Sequence, residues 1–319
     1  MEKATTLLAF CVKAVVLLVI LFGVDRLVGI TFVSMKEVAL ARNPYHEWMK
    51  TAYILDKCDA ECLVIGSSKA ERSYVTDILQ DSLLMSVYDG GQGGCFFLFQ
   101  NCVVNMLLDR GKPKQIIWDV QPECLPESST MQEYQNVRYL SPYYDSASWV
   151  RAFVDSEDSR AAVKMQCQMF RYNTKLVQYV MPILGGGKKT KGGYSPLPTC
   201  GYKYPVLKDG AATAETLMGG GLNEYKLNVY EKTLSRCKEN DVDITIFISP
   251  SYSIKGRAYK EAVVQLAEVA NRYGYELMDF SSDERFMCDS TLFKDASHLN
   301  DRGARMYTSI VAEALKNKK

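Results

Sequence analysis

The chain carries only two histidines, His46 and His298, so any histidine-based chemistry has few places to reside. His298 lies in the run Asp295-Ala296-Ser297-His298-Leu299-Asn300. An aspartate and a histidine three apart in a turn can meet, the carboxylate fixing the tautomer while the other ring nitrogen faces a serine. Serine is a poor nucleophile until a base accepts its proton. The serine that fits is Ser68, in Val64-Ile65-Gly66-Ser67-Ser68, where an apolar run ends in a turn. Ser68, His298 and Asp295 then have one job between them, attack on an ester carbonyl. A third segment, Asp89-Gly90-Gly91-Gln92-Gly93-Gly94, has glycines that let backbone N–H groups point at an anion. Taken singly, each motif also has a plain structural reading. Gly-Ser-Ser makes turns, and Asp-x-x-His before a helix makes caps.

These motifs need a scaffold that brings them to one edge. Short β-like runs at residues 61–65, 84–88, 115–120, 244–249 and 276–280 alternate with helical patterns at 96–108, 255–273 and 302–316. In the last of these Tyr307, Ile310, Val311, Ala314 and Leu315 share a face. Strands alternating with helices predict a parallel sheet covered on both faces, with ligands at the carboxyl ends of its strands. The rhythm fails between residues 122 and 242. That stretch reads as one long insertion with a helix at 161–180, followed by the glycine clusters at 185–187, 192–193 and 219–221. Inserted loops at a ligand-binding edge often act as lids, and passive decoration is the alternative. The glycine clusters lack nucleotide-binding spacings.

Residues 7–24, LLAFCVKAVVLLVILFGV, hold a single charge, Lys13. Eighteen helical residues span about 27 Å, close to the ~30 Å of a hydrocarbon core, and Lys13 can snorkel to the near interface. Residues 1–35 therefore read as an N-terminal membrane anchor. Residues 36–60 read as a connecting segment with an amphipathic helix at 43–57, and residues 61–319 as the α/β domain. Ala39-Leu40-Ala41 has a signal-cleavage pattern, but it lies far beyond the apolar run, which favours an uncleaved anchor. Basic residues flank the run on both sides, so the positive-inside rule leaves the orientation uncoded. Lys plus Arg is 38 against 37 for Asp plus Glu, which argues against a nucleic-acid partner. The ten cysteines show no zinc spacing. Cys58-x-x-x-Cys62 is the one close pair, and buried thiols explain the set better than a disulfide does.

Gly-x-Ser after the first strand, a glycine-rich turn after the second and Asp-x-x-His near the C-terminus together resemble the SGNH/GDSL hydrolases. The N-terminal membrane segment, with GSS where the family has GDS, is most similar to a membrane-anchored bacterial branch that includes the D-alanine-transfer and alginate-acetylation proteins. The resemblance covers residues 60–121 and 242–316 and not the insertion. It implies a flavodoxin-like three-layer α/β/α sandwich with a parallel sheet. It makes Ser68 the nucleophile, His298 the base and Asp295 its orienting acid, with Ser67 in the Asp position of GDS. It implies oxyanion N–H donors at Ser68 and Gly91. The family's Gly-x-Asn-Asp block is replaced here by Trp118-Asp119-Val120-Gln121-Pro122-Glu123, so the usual oxyanion Asn is absent and Gln121 has the chemistry to substitute.

The resulting expectation is a serine esterase or acyltransferase of the bacterial envelope. It would act on acyl, above all acetyl, esters of an extracytoplasmic glycan, without metal or organic cofactor. Two rivals stand beside it: an accessory partner that receives acyl groups from a membrane-bound O-acyltransferase, and a catalytically weak glycan-binding scaffold.

Overall fold

The computed structural model describes residues 2–111, 113–127, 129, 133–199, 221–253 and 255–318. Glycines 219 and 220 of the expected third cluster lie outside them. The strands are β1 (Cys62–Ile65), β2 (Val87–Asp89), β3 (Gln115–Asp119), β4 (Asp243–Ile248) and β5 (Glu276–Asp279). They form one parallel sheet in the order β2-β1-β3-β4-β5, the flavodoxin-like doubly wound order.

The strand sequences are almost wholly apolar because helices cover both faces. Leu63, Ile65, Ile116, Trp118, Ile244, Ile246 and Ile248 point into the core on one face. Helices α5 (Phe97–Asp109), α11 (Glu224–Glu239) and α12 (Arg257–Arg272) cover that face. Cys62, Val64, Ile117 and Phe247 point the other way, beneath α4 (Thr76–Leu83) and α14 (Asp301–Asn317). Short α3 (Ser68–Ser73) leads from β1 into α4, and α13 (Glu284–Met287) follows β5.

The expected second strand begins three residues too early. Helix α4 runs on to Leu83, and Leu84 closes it in the left-handed conformation at φ 56°, fully outside the core. The insertion also ends earlier than residue 242. Helix α11 is a layer helix of the sandwich, with Tyr230, Leu234 and Cys237 in the main core. Its sequence is so charged outside that stripe that its apolar period is easily missed. Before it lie α6 (Val137–Leu140), α7 (Ser148–Glu157), α8 (Ala161–Lys164), α9 (Gln168–Arg171) and α10 (Lys175–Ile183). The single helix expected at 161–180 is therefore three pieces.

At the N-terminus α1 is one helix, Glu2–Arg42, running past the expected boundary at residue 35. Nothing between Arg26 and Arg42 breaks it, and it stops at Asn43 because Pro44 follows and restricts the residue before it. A 3-10 turn, Glu47–Met49, and α2 (Lys50–Asp56) replace the expected helix at 43–57. α1 is long and apolar enough to cross a membrane, and its apolar stretch is uncovered by the rest of the chain. Its second half is different. Ala39 and Leu40 are buried with Met49, Ala52, Tyr172 and Tyr179, and Phe32 stacks on Tyr172 with centroids 5.3 Å apart.

Candidate active site

In a parallel sheet every strand delivers its last residues to the same edge. The register aligns Val64 with Asp89, Ile65 with Trp118, Asp119 with Phe247 and Ile248 with Asp279. Gly66-Ser67-Ser68, Asp89, Asp119, Ser249 and Asp279 thus share one rim. Gly66 lets the chain turn there, since a Cβ on it would stand 2.5 Å from the Ala70 Cβ and 2.9 Å from the Asp119 carbonyl oxygen. Ser67 caps α3, its hydroxyl accepting from the Lys69 N–H at 3.3 Å. Ser68 is the first residue of α3 and half-buried.

The loop before α14 faces Ser68. The Asn300 side chain caps α14 by accepting from the Gly303 N–H and donates to the Thr291 and Phe293 carbonyls. The Phe293–Leu299 bridge closes the loop, and the Ala296 carbonyl accepts from the Tyr252 N–H of the β4 loop at 2.9 Å. Within it the Asp295 carboxylate accepts from the Ser297 and His298 N–H groups at 2.8 and 3.0 Å. It also lies 2.9 and 3.0 Å from His298 Nδ1. Burial alone would raise the Asp295 carboxyl, but these donors and the imidazole outweigh it and hold it below its ordinary value. His298 Nε2 stands 2.8 Å from Ser68 Oγ. Asp295, His298 and Ser68 therefore form a continuous hydrogen-bonded chain across 230 positions of sequence. With Nδ1–H donating to the carboxylate, Nε2 is the acceptor for the serine proton.

The anion-binding side differs from the expectation. The Gly91 N–H donates to Asp89 Oδ1 at 2.7 Å and is not free for an oxyanion. Gly91 instead allows close packing, because a Cβ there would meet the Glu71 nitrogen at 2.5 Å and the Ala70 Cβ at 2.8 Å. Gly93, two residues on, approaches Ser68, its Cβ direction ending 3.9 Å from the Ser68 Cβ and 3.1 Å from Glu71 Oε2. Among the described residues the N–H groups of Ser68 and Gly93 donate to no protein acceptor. The motif Gly-Gly-Gln-Gly-Gly contains both candidates, and nothing in a run of glycines tells which N–H the Asp89 carboxylate will take. Gln121 is buried after β3. Its Oε1 faces the Cys124 sulfur at 3.9 Å, and it makes no hydrogen bond to Ser68, His298 or Asp295.

A buried ionic cluster beside Ser68 was not expected from the sequence. Lys69 Nζ pairs with Glu123 at 3.1 Å. Asp119 accepts from the Ser249 N–H, and burial pushes its carboxyl up to about 7 against the pull of Lys69. Burial, with Lys69 nearby, brings the Lys255 ammonium down to about 8. Lys255 also lines an open cleft of about 970 Å³ with Leu222, Arg257 and Lys260. On the other flank Asp89 is fully buried and its carboxyl rises to about 7 for the same reason, opposed by Lys50. The insertion holds both flanks. The Asn136 side chain accepts from the Phe96 N–H and donates to the Gly94 carbonyl. The Ser195 N–H donates to the Glu71 carbonyl while Arg72 donates to the Ser195 carbonyl at 2.9 Å.

No protein-family model matches the chain, and no curated protein sequence matches it. Among solved structures it is similar to an acetyl xylan esterase, with a TM-score of 0.39 and 10% identity over 81% of this chain and 98% of that one. His46, the second histidine, makes no hydrogen bond to Ser68, His298 or Asp295. It is fully buried, its Nδ1 accepting from the Trp48 N–H at 3.0 Å, and Lys189 of the insertion bridges to it.

Proposed function

We propose that the chain is a membrane-anchored serine esterase or acyltransferase in which Ser68 is the nucleophile, His298 the general base and acid, and Asp295 the group that orients His298. The observation that carries this reading is the 2.8 Å contact between His298 Nε2 and Ser68 Oγ, with Asp295 behind the ring. Ser68 Oγ attacks the ester carbonyl carbon as its proton passes to Nε2. The tetrahedral oxyanion lies against the unspent N–H groups of Ser68 and Gly93, with the Gln121 amide as a third donor. Collapse expels the alcohol, which takes the proton from His298, and leaves an acyl-Ser68 ester. Water or an acceptor hydroxyl then repeats the sequence in reverse.

A polyhydroxylated substrate carrying a short acyl group, acetyl above all, fits this reading. Lys255, Arg257 and Lys260 line an open cleft with room for a polymer, and their cationic groups can donate to sugar hydroxyls. The substrate we infer is therefore an acylated extracytoplasmic glycan, with the catalytic domain outside the cytoplasm. Retention of α1 is supported by its second half, since cleavage after Ala41 would remove Ala39 and Leu40 from a buried cluster.

The test is labelling of the detergent-solubilised full chain with a fluorophosphonate probe. The expected result is one adduct on Ser68 that is lost in Ser68→Ala and His298→Ala. A chain that does not label, and does not cleave acetylated sugars, would sink the proposal.

A further inference from the structure

The apolar surface of α1 does not stop at the charged pair Asp25–Arg26. Asp25 faces the domain, where its carboxylate accepts from the N–H groups of Gln168 and Met169 at the start of α9, at 3.0 and 2.9 Å. Arg26 pairs with Asp25 and donates to the Gln166 carbonyl. The two charges thus pair with each other and spend their remaining hydrogen bonds on the insertion. On the outer face of the helix Leu27 and Ile30 remain exposed, each at 64%. A Cβ on Gly29 would touch the Gln168 side chain at 2.8 Å, so α1 and α9 are in close contact at this level. The insertion is therefore fixed to α1 within two helical turns of the end of the uncovered apolar stretch.

The insertion exposes apolar side chains of its own close in sequence to these contacts. Val163 is 78% exposed, Met169 56% and Phe170 36%. Met169 sits at the very turn that Asp25 caps, and Phe170 follows it. Singly exposed apolar residues need no explanation, but three of them within three residues of Gln166 and Gln168, which touch α1, gather close to that helix.

We propose that this shoulder of the insertion lies in the bilayer interface, with Val163, Met169 and Phe170 dipping among the lipids beside Leu27 and Ile30. The occupant of the surface is the lipid itself, because the surface lies close to the helix that crosses it. The insertion is then a platform. Its far parts grip α3 and the glycine-rich turn through Ser195 and Asn136, so resting on the membrane holds Ser68 at one height and one tilt above the headgroups. This rests on the anchored part of the reading above and is independent of the chemistry at Ser68.

The experiment uses the full chain reconstituted into phosphatidylcholine vesicles containing lipids brominated at stated depths. Phe170→Trp is compared with the parent, whose three tryptophans give the baseline, and with Val264→Trp on the exposed face of α12 as control. The expected result is that the added emission of Phe170→Trp is quenched most by shallow labels, about 5–10 Å below the headgroups, and is shielded from aqueous iodide. The added emission of Val264→Trp is quenched by iodide and not by lipid. Iodide access to both variants alike would overturn the proposal. So would shielding from iodide without lipid quenching, which would mean that protein covers the patch. Alkaline extraction run in parallel separates the two readings. Release of the chain from the vesicles overturns the anchor and this proposal together, whereas retention without lipid quenching overturns this proposal alone.

Discussion

Asp295→Asn is the sharpest perturbation of the proposed relay, because the structure lets its effects on folding and on chemistry be separated. The carboxylate makes two kinds of contact. One oxygen accepts from the Ser297 and His298 N–H groups and shapes the loop, and both oxygens lie against His298 Nδ1. An asparagine oxygen can still accept from the two backbone donors. Only the charge assistance is lost, about 1 kcal/mol for a half-exposed side chain, which is a fall in Tm of about 2–4 °C. At Nδ1 the loop-preserving amide keeps Oδ1 at 2.9 Å but puts its N–H₂ group where Oδ2 stood, 3.0 Å from the same nitrogen, so a donor now competes with the acceptor there. In the orientation that preserves the loop its N–H₂ group faces the ring and favours the tautomer whose Nε2 carries a proton. That tautomer cannot take the proton of Ser68. A wrong tautomer in such a relay costs ~10⁴ in rate, about 5 kcal/mol of barrier. The assay is the second-order rate of fluorophosphonate labelling, together with cleavage of an acetylated sugar and thermal unfolding in detergent. The expected outcome is a fall of three to four decades, on the order of the tautomer penalty, with a folded chain. A folded variant that labels within a factor of about three of the parent, less than 1 kcal/mol of barrier, would show that Asp295 does not set the tautomer.

Four other outcomes follow from the same geometry. Gly91→Ala forces a Cβ to 2.5 Å from the Glu71 nitrogen and should cost roughly 1–3 kcal/mol of stability. Gly94→Ala has an open surround and only a left-handed φ of 71°, so about 1 kcal/mol is expected in the same denaturation series. Gln121→Ala should slow labelling roughly 10- to 1,000-fold and, since the side chain is buried, cost roughly 1–3 kcal/mol of stability, while an unchanged rate would leave the oxyanion to the Ser68 and Gly93 N–H groups. The Asp89 carboxyl, raised from 3.8 to about 7 by burial, binds its proton more tightly folded than unfolded. Stability therefore falls as pH rises from about 4 to about 7 and is level above, with up to about 4 kcal/mol at stake. Asp89→Asn should remove this contribution in denaturant titrations run at successive pH values and leave the matching slope of Asp119, whose carboxyl burial also raises to about 7.

Several features needed nothing beyond the sequence. The apolar runs at β1, β3 and β4 are parallel strands buried on both faces, and three of the helices that follow the strands carry a clear apolar stripe. Glycine, serine and the Asp-x-x-His spacing mark the turns where a sheet offers its carboxyl edge. The rest required the third dimension. That Asp295 faces His298 is local, a matter of three residues and a turn. That His298 meets Ser68 depends on the register of β1 against the loop before α14, which no local pattern encodes. Which glycine N–H is left for an anion depended on a buried carboxylate choosing Gly91. The ends of the insertion were hidden because α11 has a thin apolar stripe that matters only once α5 packs against it. The sequence carries the anchor past Asp25 and Arg26 to residue 35, and the structure carries the helix on to Arg42, where Ala39 and Leu40 pack into the domain. Only the start of α9, folding back onto Asp25 and Arg26, makes that pair an interior joint.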